Sequence, residues 1–134
     1  MQIQGLQKLT LLDYPGRTAC TVFLSGCNFR CPFCHNAPLL TAADEDGMDE
    51  DDLLAFLKKR QGLLDGVAVT GGEPLLRPDF FELAAYAASL GVRPTLSTNG
   101  TRITPAVAQR IKETGVAYVG ISLDGLQDVN DAFR

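Results

Sequence analysis

Thr18-Ala19-Cys20-Thr21-Val22-Phe23-Leu24 is a run of small, β-branched and apolar residues without a charge. A run that is this apolar on both sides is typical of a strand buried in a parallel sheet. The next residues, Ser25-Gly26-Cys27, end the run with a turn and a thiol. The sequence therefore predicts a buried first strand over residues 18–24 that leads into a cysteine-bearing loop.

Alternating helix and strand signals follow that first strand. From Asp49 the apolar residues take helical spacing, with acids in the first turn and Lys58-Lys59-Arg60 before Gly62, as the helix dipole favours. Thr104-Pro105 predicts the start of another helix, with Thr104 as its N-cap and Pro105 in its first turn, and Gly115 predicts its end. The predicted strands cover residues 18–24, 67–70, 93–97 and 116–123, and the predicted helices cover 49–60, 79–90 and 104–112.

The spacing of the strand ends matches one strand plus one crossover helix, which predicts parallel strands with right-handed crossovers. The predicted fold class is therefore α/β, built of parallel βα repeats with about four strands. In such folds the carboxyl ends of the strands share one edge, where ligands bind. The loops at this edge hold glycine, polar residues and cysteine, and they cover residues 25–34, 71–74, 98–100 and 124–125.

Composition limits the classes of protein. The chain has 134 residues, 46% hydrophobic and 21% charged, which predicts one globular domain over residues 1–134. The net charge of −4 disfavours nucleic acid as a partner, because phosphate contacts need clustered Lys and Arg. No apolar run reaches the roughly 20 residues of a membrane span, and we find no signal peptide pattern. We expect a cytoplasmic protein with no membrane contact.

Three of the four cysteines form a C-x3-C-x2-C motif, Cys27, Cys31 and Cys34. Three thiolates at this spacing can each bind one iron of a cubane cluster and leave one iron open. Cys20 lies inside the first predicted strand, where a core side chain is the favoured reading. Zinc is the competing interpretation, but it needs four ligands and the one histidine, His35, directly follows Cys34. A disulfide scaffold is disfavoured, because an odd cluster cannot pair internally.

The cysteine motif, with Phe33 just before its last cysteine, closely resembles the signature of the radical S-adenosylmethionine (radical SAM) superfamily. The resemblance implies a partial TIM barrel of (βα)6 type, of which this chain would be an incomplete N-terminal portion. Within the superfamily, residues 5–36, with Asp13-Tyr14-Pro15-Gly16 and Cys34-His35-Asn36, are similar to the activating proteins of glycyl-radical enzymes. The anaerobic ribonucleoside-triphosphate reductase activating proteins are the most similar group.

By this resemblance Cys27, Cys31 and Cys34 hold a 4Fe–4S cluster, and S-adenosylmethionine chelates the open iron. Reductive cleavage would give methionine and a 5′-deoxyadenosyl radical that takes a hydrogen atom from the target. The implied partners are a glycyl-radical enzyme, such as the anaerobic ribonucleotide reductase, as protein substrate and a flavodoxin or ferredoxin as reductant. The implied S-adenosylmethionine contacts are Phe33, Gly71, Gly72, Glu73, Pro74, Ser97, Asn99 and Ser122.

Each of these contacts has a specific implied role and a plain structural alternative. By the resemblance, Glu73 binds the methionine amino group of S-adenosylmethionine. The polar residues at 97–100 and Ser122 contact its ribose and carboxylate, and Phe33 packs near its adenine. The alternatives are a turn at 71–74, a strand-end cap at 97–100 and a loop anchor at Phe33. His35 and Asn36 either line the pocket or fix the cluster loop.

Two departures from the activating proteins keep other functions open. Residues 120–125 and 130–134 are more similar to radical enzymes that modify peptides or build cofactors, which is the first alternative function. A sheet of about four strands would leave its last strand as an exposed edge. The second alternative function is therefore a catalytically incomplete iron–sulfur fragment. The acidic residues between 44 and 52 are interpreted as a solvated loop that leads into the first helix.

Overall fold

One five-stranded sheet organises the computed structural model, which describes residues 2–41 and 47–133. The strands are β1 (Ile3–Thr10), β2 (Ala19–Leu24), β3 (Gly66–Gly71), β4 (Arg93–Thr98) and β5 (Tyr118–Ile121). The helices are α1 (Glu50–Lys59), α2 (Phe80–Ser89), α3 (Pro105–Glu113) and α4 (Gln127–Phe133), with short 3-10 turns at Ala37–Leu40 and Pro74–Leu76. Spatial order follows chain order, with β2 to β5 parallel and β1 antiparallel to β2.

The predicted α/β class is confirmed, since the four parallel strands and the three predicted helices lie within two residues of their expected bounds. The sheet is open within the described residues and has the form of a partial barrel. The expected number of strands was one too low, because β1 was not predicted. Only Ile3 and Thr10 of that strand are buried, and it lies at an edge of the sheet, so it lacks an apolar signature. Helix α4 was also missed.

Parallel pairing aligns the carboxyl ends of the strands. Cys20 of β2 lies opposite Val67 of β3, and the register continues until Leu24 lies opposite Gly71. Side chains of β2 and β3 are buried along nearly their whole length and form the core with α1 and α2. The loops after β2, β3, β4 and β5 therefore meet at one edge of the sheet, which we call the rim.

Arg77 ties the starts of two helices together beside the core. Its buried guanidinium contacts the carboxylates of Glu50 at 2.5 Å and Asp79 at 2.7 Å. Glu50 opens α1, and Asp79 precedes α2, where the ion pair lowers the pKa of its carboxyl. These contacts hold both helices against the same end of the sheet.

Strand β5 is an edge of the described sheet and carries large exposed side chains. Tyr118 is 44% exposed and Ile121 51% exposed. None of the helices in the described ranges is both long and apolar enough to cross a bilayer. Residues 44–46 of the acidic segment lie outside the described residues, whereas Asp49 caps α1 by accepting a hydrogen bond from the amide of Asp51 at 3.0 Å.

Burial predicts different chemistry for Cys20 and the other three cysteines. Cys20 is fully buried, and burial raises the pKa of its thiol to about 11. In the folded, metal-free protein under argon, DTNB at pH 8 should titrate three thiols, and all four after unfolding in guanidinium. The neutral Cys20 thiol favours the folded state below about pH 9, and this stabilisation is lost as pH rises towards 11. Equally fast reaction of all four thiols in the folded protein would contradict the assigned burial.

Candidate iron–sulfur and cosubstrate site

The cysteine loop starts at the end of β2 and is anchored on both sides. Buried Ser25 donates its backbone N–H to the Gln2 carbonyl at 2.9 Å and accepts the Gln2 N–H on its hydroxyl at 2.8 Å. Gly26 takes a φ of +75° and donates its N–H to the Leu39 carbonyl at 3.1 Å. The loop that holds the cysteines is therefore closed at its base, and Cys27 lies directly on the rim.

Cys27, Cys31 and Cys34 are half-buried, form no disulfide and line one pocket. Cys20 lies in the core, away from this pocket. Within the described ranges, no three His, Cys, Asp or Glu side chains converge on a point that a single metal ion could occupy. A cubane binds each thiolate to a different iron, so three thiols suffice for a cluster with one open iron, whereas a structural zinc ion takes four ligands. The donor set provides three ligands for four irons.

The pocket gathers residues from four loops of the rim. The predicted residues that line it beside the cysteines are Phe33, Gly71, Gly72, Ser97, Asn99 and Ser122. His35 and Asn36 line it as well, and Asn36 also donates its amide to the Gly71 carbonyl at 3.3 Å. Thr98, which belongs to the predicted segment 97–100, lines the pocket too. Sequence reasoning missed Phe29 and Thr70. Their positions, beside the cysteines and at the end of a strand, are the signal that could have found these two residues.

Gly71 and Gly72 let the loop after β3 pass directly against the loop after β2. Gly71 has a φ of +102°, which favours glycine. A Cβ on Gly72 would overlap the carbonyl oxygen of Gly26, and the Gly72 N–H donates to the Leu24 carbonyl at 2.8 Å. The glycine pair therefore has a packing role in addition to any contact with a ligand.

Glu73 lies beneath the pocket and is fully buried. One carboxylate oxygen accepts the Thr98 hydroxyl at 2.7 Å and the Leu75 N–H at 3.1 Å, and the other accepts the Asn99 N–H at 2.7 Å. Buried Pro74 starts the 3-10 turn that follows. Neither Glu73 nor Pro74 is among the residues that line the pocket. The carboxylate of Glu73 thus links the loops after β3 and β4.

An open, mostly parallel sheet with three cysteines outside any disulfide and a glycine-lined pocket on its rim has the architecture of an iron–sulfur βα domain. The family model of the Radical SAM superfamily matches residues 21–134, and the chain belongs to this superfamily. Membership implies a 4Fe–4S cluster and S-adenosylmethionine as cofactors. The predicted superfamily and cofactors are therefore confirmed.

The similar proteins differ in their named functions. Fe-coproporphyrin III synthase of Methanosarcina barkeri is 40% identical over 116 residues, which cover 81% of this chain and 27% of the relative. The mycofactocin maturase of Mycobacterium tuberculosis is 42% identical over 92% of this chain and 29% of its own length. A Methanocaldococcus jannaschii protein assigned as a glycyl-radical enzyme activating enzyme is 32% identical, over 90% of this chain and 49% of its own length.

The chain spans at most about half the length of these curated relatives. Two solved structures share the fold. QueE of Escherichia coli superposes with a TM-score of 0.62 at 24% identity, over 77% of this chain and 56% of that chain. BtrN in complex with AdoMet and 2-DOIA gives a TM-score of 0.60 at 23% identity, over 85% of this chain and 50% of that chain. These likenesses support the partial-barrel architecture.

Removing the Glu73 carboxylate should destabilise the fold. Glu73→Ala leaves the buried Thr98 hydroxyl and the half-buried Asn99 N–H without their acceptor, which should lower the free energy of unfolding by about 3 kcal/mol. Glu82→Ala is the matched control, because Glu82 is an exposed glutamate of α2. Urea unfolding followed by circular dichroism measures both variants. Equal stability of the two would contradict the role of Glu73 as the link between the rim loops.

Proposed function

We propose that this domain reductively cleaves S-adenosylmethionine and uses the resulting radical to activate a glycyl-radical enzyme, such as the anaerobic ribonucleotide reductase. The observation that carries the proposal is the convergence of three half-buried thiols with Gly71, Gly72, Ser97 and Ser122 on one pocket. Such a pocket provides thiolates for a cluster and backbone and hydroxyl groups for a polar cosubstrate beside it.

Cys27, Cys31 and Cys34 would hold three irons of the cluster, and among the described residues no fourth cysteine lines the pocket. The remaining iron is then available to the amino and carboxylate groups of S-adenosylmethionine. With a cluster held there, the chemistry available would be one-electron reduction of the carbon–sulfur bond of the cosubstrate, to methionine and a 5′-deoxyadenosyl radical.

The rest of the pocket would bind the cosubstrate. In our proposal the hydroxyls of Ser97 and Ser122 bind ribose and carboxylate, and Phe33, which is 41% exposed, packs near adenine. The methionine ammonium would be bound by the segment that starts at Gly71. Since the Glu73 carboxylate already accepts three internal hydrogen bonds, we assign this contact to the backbone of 71–73 and give the carboxylate a supporting role.

Support for activation of a glycyl-radical enzyme comes from the Methanocaldococcus jannaschii relative, of which the chain covers 49%, the largest share among the three relatives described above. The similarity of residues 5–36 to activating proteins points the same way. A flavodoxin or ferredoxin would supply the electron. The cysteines of the rim form no disulfide, which suits the reducing cytoplasm, where we place the protein.

A second candidate function keeps the radical chemistry and changes the substrate. The 40% identity to Fe-coproporphyrin III synthase and the 42% identity to the mycofactocin maturase favour a cofactor precursor or a peptide. Residues 120–125 and 130–134 are also more similar to radical enzymes that modify peptides or build cofactors. The third candidate function is an iron–sulfur module without turnover. It would use the same pocket, and the product assay below distinguishes it from the two enzymatic functions.

Reconstitution tests the assignment of the cysteines. Under anaerobic conditions, the protein should bind about four irons and four sulfides per chain, with reduction only at low potential. Alanine at Cys27, Cys31 or Cys34 should abolish the cluster, whereas Cys20→Ala should retain it, because Cys20 lies in the core. Stoichiometric zinc without iron-dependent absorbance, or a cluster that needs Cys20 and not Cys31, would contradict this ligand set.

Product analysis tests the reaction. With dithionite and S-adenosylmethionine, the reconstituted protein should form 5′-deoxyadenosine, quantified by chromatography. Added anaerobic ribonucleotide reductase should acquire a glycyl radical visible by electron paramagnetic resonance (EPR). 5′-Deoxyadenosine without a glycyl radical would favour the peptide or cofactor substrate. An intact cluster that yields no 5′-deoxyadenosine would leave the iron–sulfur module as the function.

A further inference from the structure

The side chain of Asn99 points from the loop after β4 to the cysteine loop. Its amide nitrogen donates to the Asn28 side-chain oxygen at 2.8 Å and lies 3.8 Å from the Sγ of Cys27, within the range of a hydrogen bond to sulfur. Cys27 precedes Asn28, so this amide contacts two successive residues of the motif segment. Asn99 thus connects two loops that are 72 residues apart in sequence at their point of contact.

The amide orientation follows from its other neighbours. The side-chain oxygen of Asn99 accepts the Thr101 N–H at 3.0 Å and the Thr101 hydroxyl at 2.7 Å. Both groups are placed to donate, so the oxygen must face them and the NH2 group must face the sulfur. The Thr101 hydroxyl in turn accepts the side-chain amide of Asn28 at 2.9 Å. Asn28, Asn99 and Thr101 therefore form a closed ring of hydrogen bonds beside Cys27.

The backbone of Asn99 is fixed independently of its side chain. Its N–H donates to the buried carboxylate of Glu73 at 2.7 Å. A substitution that changes only the side chain can keep this backbone contact. The contribution of the amide to Cys27 can therefore be tested without removal of the link between the rim loops.

We infer that Asn99 is a positioning residue that donates an N–H···S hydrogen bond to the Cys27 thiolate and thereby raises the reduction potential of the cluster. The inference rests on the proposed function, in which Cys27 is a cluster ligand. Reduction adds negative charge to a thiolate-bound cluster, and a donor to sulfur stabilises the more negative state. Thr101 contributes indirectly, because its hydroxyl orients the Asn99 amide.

The test is the midpoint potential of the reconstituted protein, measured by an EPR-monitored redox titration. Asn99→Leu keeps the approximate volume and the backbone N–H but removes the donor. We expect a fall of about tenfold in the equilibrium constant for reduction, equivalent to about 59 mV for a one-electron couple. Thr101→Val removes the hydroxyl that orients the Asn99 amide but leaves the amide in place. It should therefore shift the potential less than Asn99→Leu and in the same direction.

Asn130→Leu is the matched control. Asn130 lies in α4 and is not among the residues that line the pocket, and its side-chain oxygen accepts the Asp124 N–H, so the potential should stay at the wild-type value. A wild-type potential in both Asn99→Leu and Thr101→Val, or a shift to higher potential in either, would overturn the inference while the cluster assignment stands. If Asn99→Leu holds no cluster, the Thr101→Val potential decides alone. Failure of the wild-type protein to assemble any cluster would overturn the proposed function and this inference together.

Discussion

The buried carboxylate of Glu73 is the contact on which the rest of the rim depends. It has three hydrogen-bond donors and holds the loop after β4 against the turn after β3. A buried carboxylate is costly unless its oxygens are fully engaged, so these donors and the acid stabilise one another. Through the backbone of Asn99, this link extends from the core to the amide beside Cys27.

Close backbone packing is the second constraint on the position of Cys27. Gly72 passes so near the carbonyl of Gly26 that a side chain has no room, and the N–H of Glu73 donates to the same carbonyl at 3.0 Å. Gly26 immediately precedes Cys27. The segment 71–73 thus positions the first cysteine from one side while Asn99 contacts it from another, and both positions derive from the parallel register of β2, β3 and β4.

Local patterns in the sequence predicted the parts of this arrangement that local physics determines. The apolar runs of β2 and β3 identify buried parallel strands, and the tight spacing of the cysteines identifies one loop. Strand β1 could not be found this way, because it is an edge strand with partly polar residues whose pairing with β2 exists only in the folded chain. The sequence assigns Glu73 to the loop after β3, where it lies. The hydrogen bond between its carboxylate and Thr98, 25 residues away, exists only in the folded chain. The ring of Asn28, Asn99 and Thr101 is likewise a product of tertiary structure.

The central claim is that the rim supplies three thiolates for a cluster and leaves one iron to S-adenosylmethionine. Mössbauer spectroscopy of protein reconstituted with 57Fe tests it most directly, because each iron of the cluster contributes to the spectrum. We predict a 4Fe–4S spectrum in which one iron in four changes its isomer shift and quadrupole splitting when S-adenosylmethionine is added. A spectrum in which all four irons are unchanged by S-adenosylmethionine would contradict the account.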